Sequence, residues 1–224
     1  MPTVTDLVGP AGPLEALLDE PGGQTGVRPG SDPVRAAVVF AHPHPQYGGT
    51  MHTKAVYQGA KGLARIGCAV LRFNFRGVGA SAGEFDLGEG EKADFSAALD
   101  YMAAHYPGRP LWAAGFSFGA WVALEVGAAD DRVTALIGIA PPVATSISGH
   151  DYTFENTLAS TKPKFFVQGE SDEVCPIEGM WAFYGKLEEP KELATIDAAD
   201  HLFEGKATEV GEALEDLLAD FPEP

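Results

Sequence analysis

The chain has 224 residues, of which 45% are hydrophobic and 21% charged, a balance that excludes a disordered polymer and fits a single domain over 1–224. Lys and Arg total 15 against 32 Asp and Glu, a net charge of −17 that would repel nucleic-acid phosphates and anionic membrane surfaces. No stretch approaches the roughly 18 apolar residues of a membrane span, and the N-terminus reads as carrying no secretory leader.

Residues 1–33 read as short strands and turns, with PLEALLDE an early strand or a helical turn and 21–33 a turn-rich break. The apolar run 34–42 predicts a buried strand, 51–67 a helix, 68–75 a second strand and 91–106 an amphipathic helix stopped by Pro107 and Gly108. Alternation continues with a strand over 109–116, a helix over 117–129 and a strand over 132–142. Residues 143–162 carry no clear pattern and are too few for a folded cap, so they read as a minimal lid. A strand over 162–170, a helix over 177–187, a strand over 191–197 and a helix over 201–221 complete the chain. Apolar strands separated by single helices predict an α/β fold, a mostly parallel central sheet with helices on both faces. Ligands of such sheets sit at the carboxyl ends of the strands, so chemistry is expected in the loops that follow them.

Gly115-Phe116-Ser117-Phe118-Gly119 stands between a predicted strand and a predicted helix. A serine on so sharp a turn needs small neighbours two residues to either side, and the helix start offers free N–H groups to a developing oxyanion. A serine hydroxyl also needs a base and an acid that orients the base. Asp172 follows one later strand and His201 follows the last one. Glu170, Glu173, Asp197 and Asp200 are competing acids, and Asp172 is preferred by position. The Phe118 N–H is the expected first oxyanion donor. The loop after residue 41 should supply the second. Pro43 and Pro45 have no N–H, which leaves His44, with Gln46 and Tyr47 in reserve.

His42, His44 and His52 also invite a metal reading, but no acidic or cysteine ligand stands beside them, so a structural role along the pocket is expected and no metal. Lys54, Lys61, Arg65, Arg72 and Arg76 could attract an anionic substrate, but they are expected to pair with the surplus carboxylates or to lie on a solvated face. Cys68 and Cys175 form no CxxC pair, and reduced thiols in a cytoplasm fit them.

The stretches AHPHPQYGGTMHTK, LRFNFRGVGASAGEFDLGEGEKAD, GFSFGAWVA, APPV, GESDEVCP and DHLFEG resemble small bacterial α/β-hydrolases of the dienelactone hydrolase/serine aminopeptidase-like group. The resemblance spans 41–206 and implies an α/β-hydrolase fold without a large cap domain, with nucleophile Ser117, acid Asp172 and base His201. Dienelactone hydrolases proper use a cysteine nucleophile, so serine at 117 argues against that reaction and for general esterase chemistry. The expectation is a serine hydrolase acting on a small carboxylic ester, with no cofactor, nucleic acid or membrane partner, and compatible with a homodimer. The alternatives are a peptidase or thioesterase on the same three residues, or a non-catalytic binding protein on a hydrolase scaffold.

Overall fold

Every apolar run expected to be a strand is one. The computed structural model describes residues 3–21, 34–143, 146–147 and 150–221. Its strands are β1 (Thr3–Val4), β2 (Val8–Gly9), β3 (Gly12–Pro13), β4 (Ala16–Asp19), β5 (Ala37–Ala41), β6 (Ala69–Phe73), β7 (Leu111–Phe116), β8 (Val133–Ile139), β9 (Ser146–Ile147), β10 (His150–Asp151), β11 (Lys164–Gly169) and β12 (Lys191–Ile196). Its helices are α1 (Lys54–Arg65), α2 (Glu89–His105), α3 (Phe118–Ala129), α4 (Glu155–Ala159), α5 (Ile177–Tyr184) and α6 (Ala207–Leu218). The main sheet runs β1-β4-β6-β5-β7-β8-β11-β12. β1 and β4 are antiparallel to their neighbours, and the remaining pairs are parallel.

Alternation along the strands divides the core into two layers. Ala37, Val39 and Ala41 of β5 join Phe95, Leu99 and Met102 of α2 and Trp121 of α3 on one face. Val38 and Phe40 join Val56 and Leu63 of α1 and Val210 and Leu214 of α6 on the other. Both faces of the central strands are thus buried, which is why they read as unbroken apolar runs.

Of the two readings left open for 13–20 the strand is the one observed, and two local differences at helix starts have identifiable causes. Segment 13–20 yields β4, a strand paired to β6. The last helix starts at Ala207 rather than at 201, because Phe203 and Gly205 take φ of 54° and 74° and Asp200 Oδ1 accepts the Glu204 N–H at 2.9 Å. Conversely, α2 starts at Glu89, ahead of 91, because the Glu91 carboxylate folds back onto the N–H groups of Asp86 and Gly88. Of the expected break at 21–33, residues 22–33 lie outside the described residues, as do 144–145 and 148–149 of the minimal lid. The described part of that lid contributes only α4 and the β9–β10 pair.

The chain steps from β5 to β6 on one side and then returns to β7 on the other. The order therefore reverses between β5 and β7, the position where open α/β sheets leave a crevice. The loop leaving β5 there is clamped at both ends. His42 is fully buried. Its Nε2 accepts the Phe75 N–H at 3.1 Å, which places the ring proton on Nδ1, and Nδ1 donates to the Pro43 carbonyl at 2.6 Å. At the far end, Met51 N–H donates to Asn74 Oδ1 at 2.8 Å, and the Met51 carbonyl accepts from Arg72 Nη1 at 2.7 Å. Arg72 is fully buried and bonds Asp19 through Nε at 2.7 Å.

All five cations expected to pair with carboxylates do so: Lys54 with Glu204, Lys61 and Arg72 with Asp19, Arg65 with Glu215, and Arg76 with Asp94. The exposed pairs add little; the Arg72–Asp19 pair, buried on both sides, matters because removing Arg72 leaves a buried carboxylate with only Lys61, 3.8 Å away.

Arg72→Met should therefore cost about 3–5 kcal/mol in urea unfolding, and the double variant Arg72→Met/Asp19→Asn should recover part of that loss. Equal stability of the two variants would show that the Asp19 charge is not what suffers. His42 supplies a pH test. Burial pushes its pKa down to about 4, only partly opposed by its bond to Pro43. The unfolded chain takes up this proton below about pH 6.5, so stability should fall as pH drops from 6.5 to 4. His42→Gln should lack that part of the slope in urea midpoints measured across the window.

Candidate active site

Ser117 stands where β7 ends and α3 begins, with φ 54° and ψ −120°. That backbone region is unfavourable for a residue with a side chain, so the surroundings must hold it there. They do so by close approach. A Cβ at position 115 would collide with the carbonyl of Gly119, and one at 119 with the carbonyls of Ala41 and His42. The first turn of α3 thus lies directly on the end of β5. The Ser117 N–H is held by the Ile139 carbonyl at 2.8 Å.

Three loops converge on the Ser117 hydroxyl. His201, in the turn after β12, places Nε2 3.0 Å from Ser117 Oγ and Nδ1 2.8 Å from Asp172 Oδ2. A carboxylate only accepts, so the Nδ1 proton faces Asp172 and the bare Nε2 faces the serine. Asp172, in the loop after β11, is 4% exposed. Its Oδ1 accepts the N–H groups of Val174 at 2.9 Å and Cys175 at 2.7 Å. Its Oδ2 also accepts from Gln168 Nε2 at 3.1 Å. The rival acids are engaged elsewhere or exposed. Glu170 accepts from Thr195 Oγ1, Asp200 from the Glu204 N–H, and Glu173 and Asp197 are exposed. Gln168 is the residue that sequence reasoning passed over; its only signal was a polar side chain inside a run otherwise fit for a buried strand.

Phe118 is the first residue of α3, where an N–H has no intrahelical acceptor. Of the three expected sources of a second donor, two are occupied. The Gln46 N–H donates to His44 Nδ1 at 3.2 Å and the Tyr47 N–H to the His44 carbonyl at 3.1 Å. The His44 ring packs 5.0 Å from that of Phe118, which brings its loop against the elbow. The Phe118 side chain is fully buried among Phe75, Phe85, Trp121 and Tyr152. Phe73 and Phe75 are core residues.

Both ring nitrogens of His42 are occupied, and His52 is exposed. Among the described residues, the set of three ligating side chains within 4.8 Å of one another is Asp172, Cys175 and His201 rather than the three histidines. Both cysteines are buried and neither is in a disulfide, and burial raises the Cys68 thiol to about 12, far from a reactive thiolate. Among the described residues no helix is long and apolar enough to cross a membrane.

Comparison with known proteins agrees with this architecture. Residues 32–154 match the family model described as serine aminopeptidase, S33. An α/β serine hydrolase homologue from Coxiella burnetii is 36% identical, with 96% of each chain covered and a TM-score of 0.84. An α/β serine hydrolase without lid from Xanthomonas campestris is 33% identical over all of this chain and 95% of its own, also with a TM-score of 0.84. An uncharacterized protein of Rickettsia prowazekii is 36% identical over 194 residues, 84% of this chain and 80% of that relative. The matched half of the sequence, the full-length likeness to these structures and the strand order together establish that the chain belongs to the serine aminopeptidase S33 family of α/β-hydrolases.

Proposed function

We propose that the protein is a serine hydrolase that cleaves small carboxylic esters through Ser117, His201 and Asp172. The observation that carries this reading is the unbroken line from Ser117 Oγ through both nitrogens of His201 to a buried carboxylate. His201 Nε2 takes the Ser117 proton as Oγ attacks the ester carbonyl, then returns it to the departing alkoxide. Water repeats the sequence on the acyl-enzyme. Asp172 keeps the imidazole in the reactive tautomer and stabilises its positive charge. The N–H groups of Phe118 and His44 receive the tetrahedral oxyanion.

The side chains around the site favour an ester over a peptide N-terminus. Tyr47, Val174 and Leu202 lie on the three loops that carry His44, Asp172 and His201, and all are exposed. Such apolar side chains suit uncharged hydrocarbon groups. The short described lid segment suits small acyl groups.

Ser117→Ala should lower kcat on p-nitrophenyl acetate by about 10⁴-fold or more and abolish fluorophosphonate labelling, with circular dichroism unchanged. Full labelling of that variant would place the nucleophile elsewhere. In a panel with acyl thioesters and aminoacyl anilides, the ester should give the highest kcat/KM. The second oxyanion donor has a backbone test. His44 has φ −51°, within proline's range, so His44→Pro removes the N–H with little strain. It should lower kcat by about 10²–10³-fold, while His44→Ala, which keeps the N–H, should retain most of it. Equal rates for the two variants would exclude the His44 N–H.

A further inference from the structure

Gln168 is fully buried at the carboxyl end of β11, and its amide faces two groups that only accept. Nε2 lies 3.1 Å from Asp172 Oδ2 and 2.8 Å from the Cys175 carbonyl. The reversed amide would set Oε1 against a carboxylate and a carbonyl, so the neighbours dictate its orientation. That orientation leaves Oε1 buried with no hydrogen-bond partner. An orphaned acceptor is unfavourable, and the two donor contacts must outweigh it. The oxygen that Gln168 engages is also the one that receives the His201 Nδ1 proton.

We propose that Gln168 is a positioning residue of the triad, holding Asp172 Oδ2 in line with His201 Nδ1 and drawing off part of its negative charge. This rests on the reading of Ser117, His201 and Asp172 as the catalytic machinery. Asp172 has two oxygens and four donors. The backbone of Val174 and Cys175 fixes Oδ1, and Gln168 fixes the rotation about it. A carboxylate oxygen shared with a second donor stabilises the imidazolium less than an unshared one, which leaves the imidazole free to take the serine proton. The Cys175 thiol is a third titratable group within 4.8 Å of Asp172 and His201. On the His201 turn itself, Asp200 accepts the Glu204 N–H and the Glu204 carboxylate pairs with Lys54. From β7, the Phe116 ring lies 5.3 Å from the imidazole.

Gln168→Met keeps the buried volume and removes the donor. Its kcat should fall about tenfold with KM unchanged, and the acid limb of its kcat/KM profile should rise by about half a pH unit. Imidazole NMR of His201 should show the same rise without any turnover. Gln168→Glu, nearly isosteric, gives a second measurement if the methionine variant folds poorly; once its carboxyl ionises, the His201 midpoint should rise further. A His201 midpoint and kcat equal to wild type in the folded variants would overturn the proposal. Absence of ester turnover and of Ser117 labelling in the wild type would instead refute the hydrolase reading, and the NMR titration would still decide whether Gln168 acts on the Asp172–His201 pair.

Discussion

There is no space for a side chain at either end of the turn joining β7 to α3. The carbonyl of Gly119 fills the place of a Cβ at 115, and the carbonyls of Ala41 and His42 fill the place of one at 119. This crowding lets the backbone of Ser117 persist at a positive φ, and it presses the start of α3 onto the end of β5. The consequence is positional. The helix start, the serine and the loop after β5 meet where the strand order reverses, so a hydroxyl and backbone donors share one crevice. Strain at one residue is offset by packing on both sides of the sheet.

Two of the stretches that carry the family resemblance have a mechanical explanation. Residues 72–75 lie beneath the loop 42–52. Arg72 and Asn74 hold its far end through the two backbone groups of Met51, and the Phe75 N–H holds its near end through His42. Asn74 and Ser81 in turn bond Glu15, which ties the antiparallel N-terminal strands to the same support. His42 and His44, alike in sequence, do different work: one is a buried, neutral bracket, and the other turns the chain and packs its ring against Phe118.

Most of the architecture was legible because two-sided burial gives each central strand a continuous apolar signature, and because glycine and proline punctuate the turns. The serine elbow and its two partners were legible because each follows a strand. What escaped had no periodic signature. The start of α6 depends on positive φ at Phe203 and Gly205, and that at Phe203 is set by tertiary contact rather than by residue type. The choice between Gln46, Tyr47 and His44 depends on which N–H groups the turn itself consumes. Gln168 was hidden because a side chain's hydrogen-bonding direction cannot be read from a strand's alternation. The pairing of all five basic residues followed from the excess of carboxylates, but which carboxylate each would reach did not.

The three side chains of the proposed triad come from separate stretches of the polypeptide. Ser117 belongs to the middle of the chain, whereas Asp172 and His201 follow β11 and β12, the last two strands and one margin of the sheet. The imidazole is therefore carried by the outermost strand, whose pairing with β11 brings it within reach of Ser117, so the proposed chemistry depends on the margin of the sheet being closed.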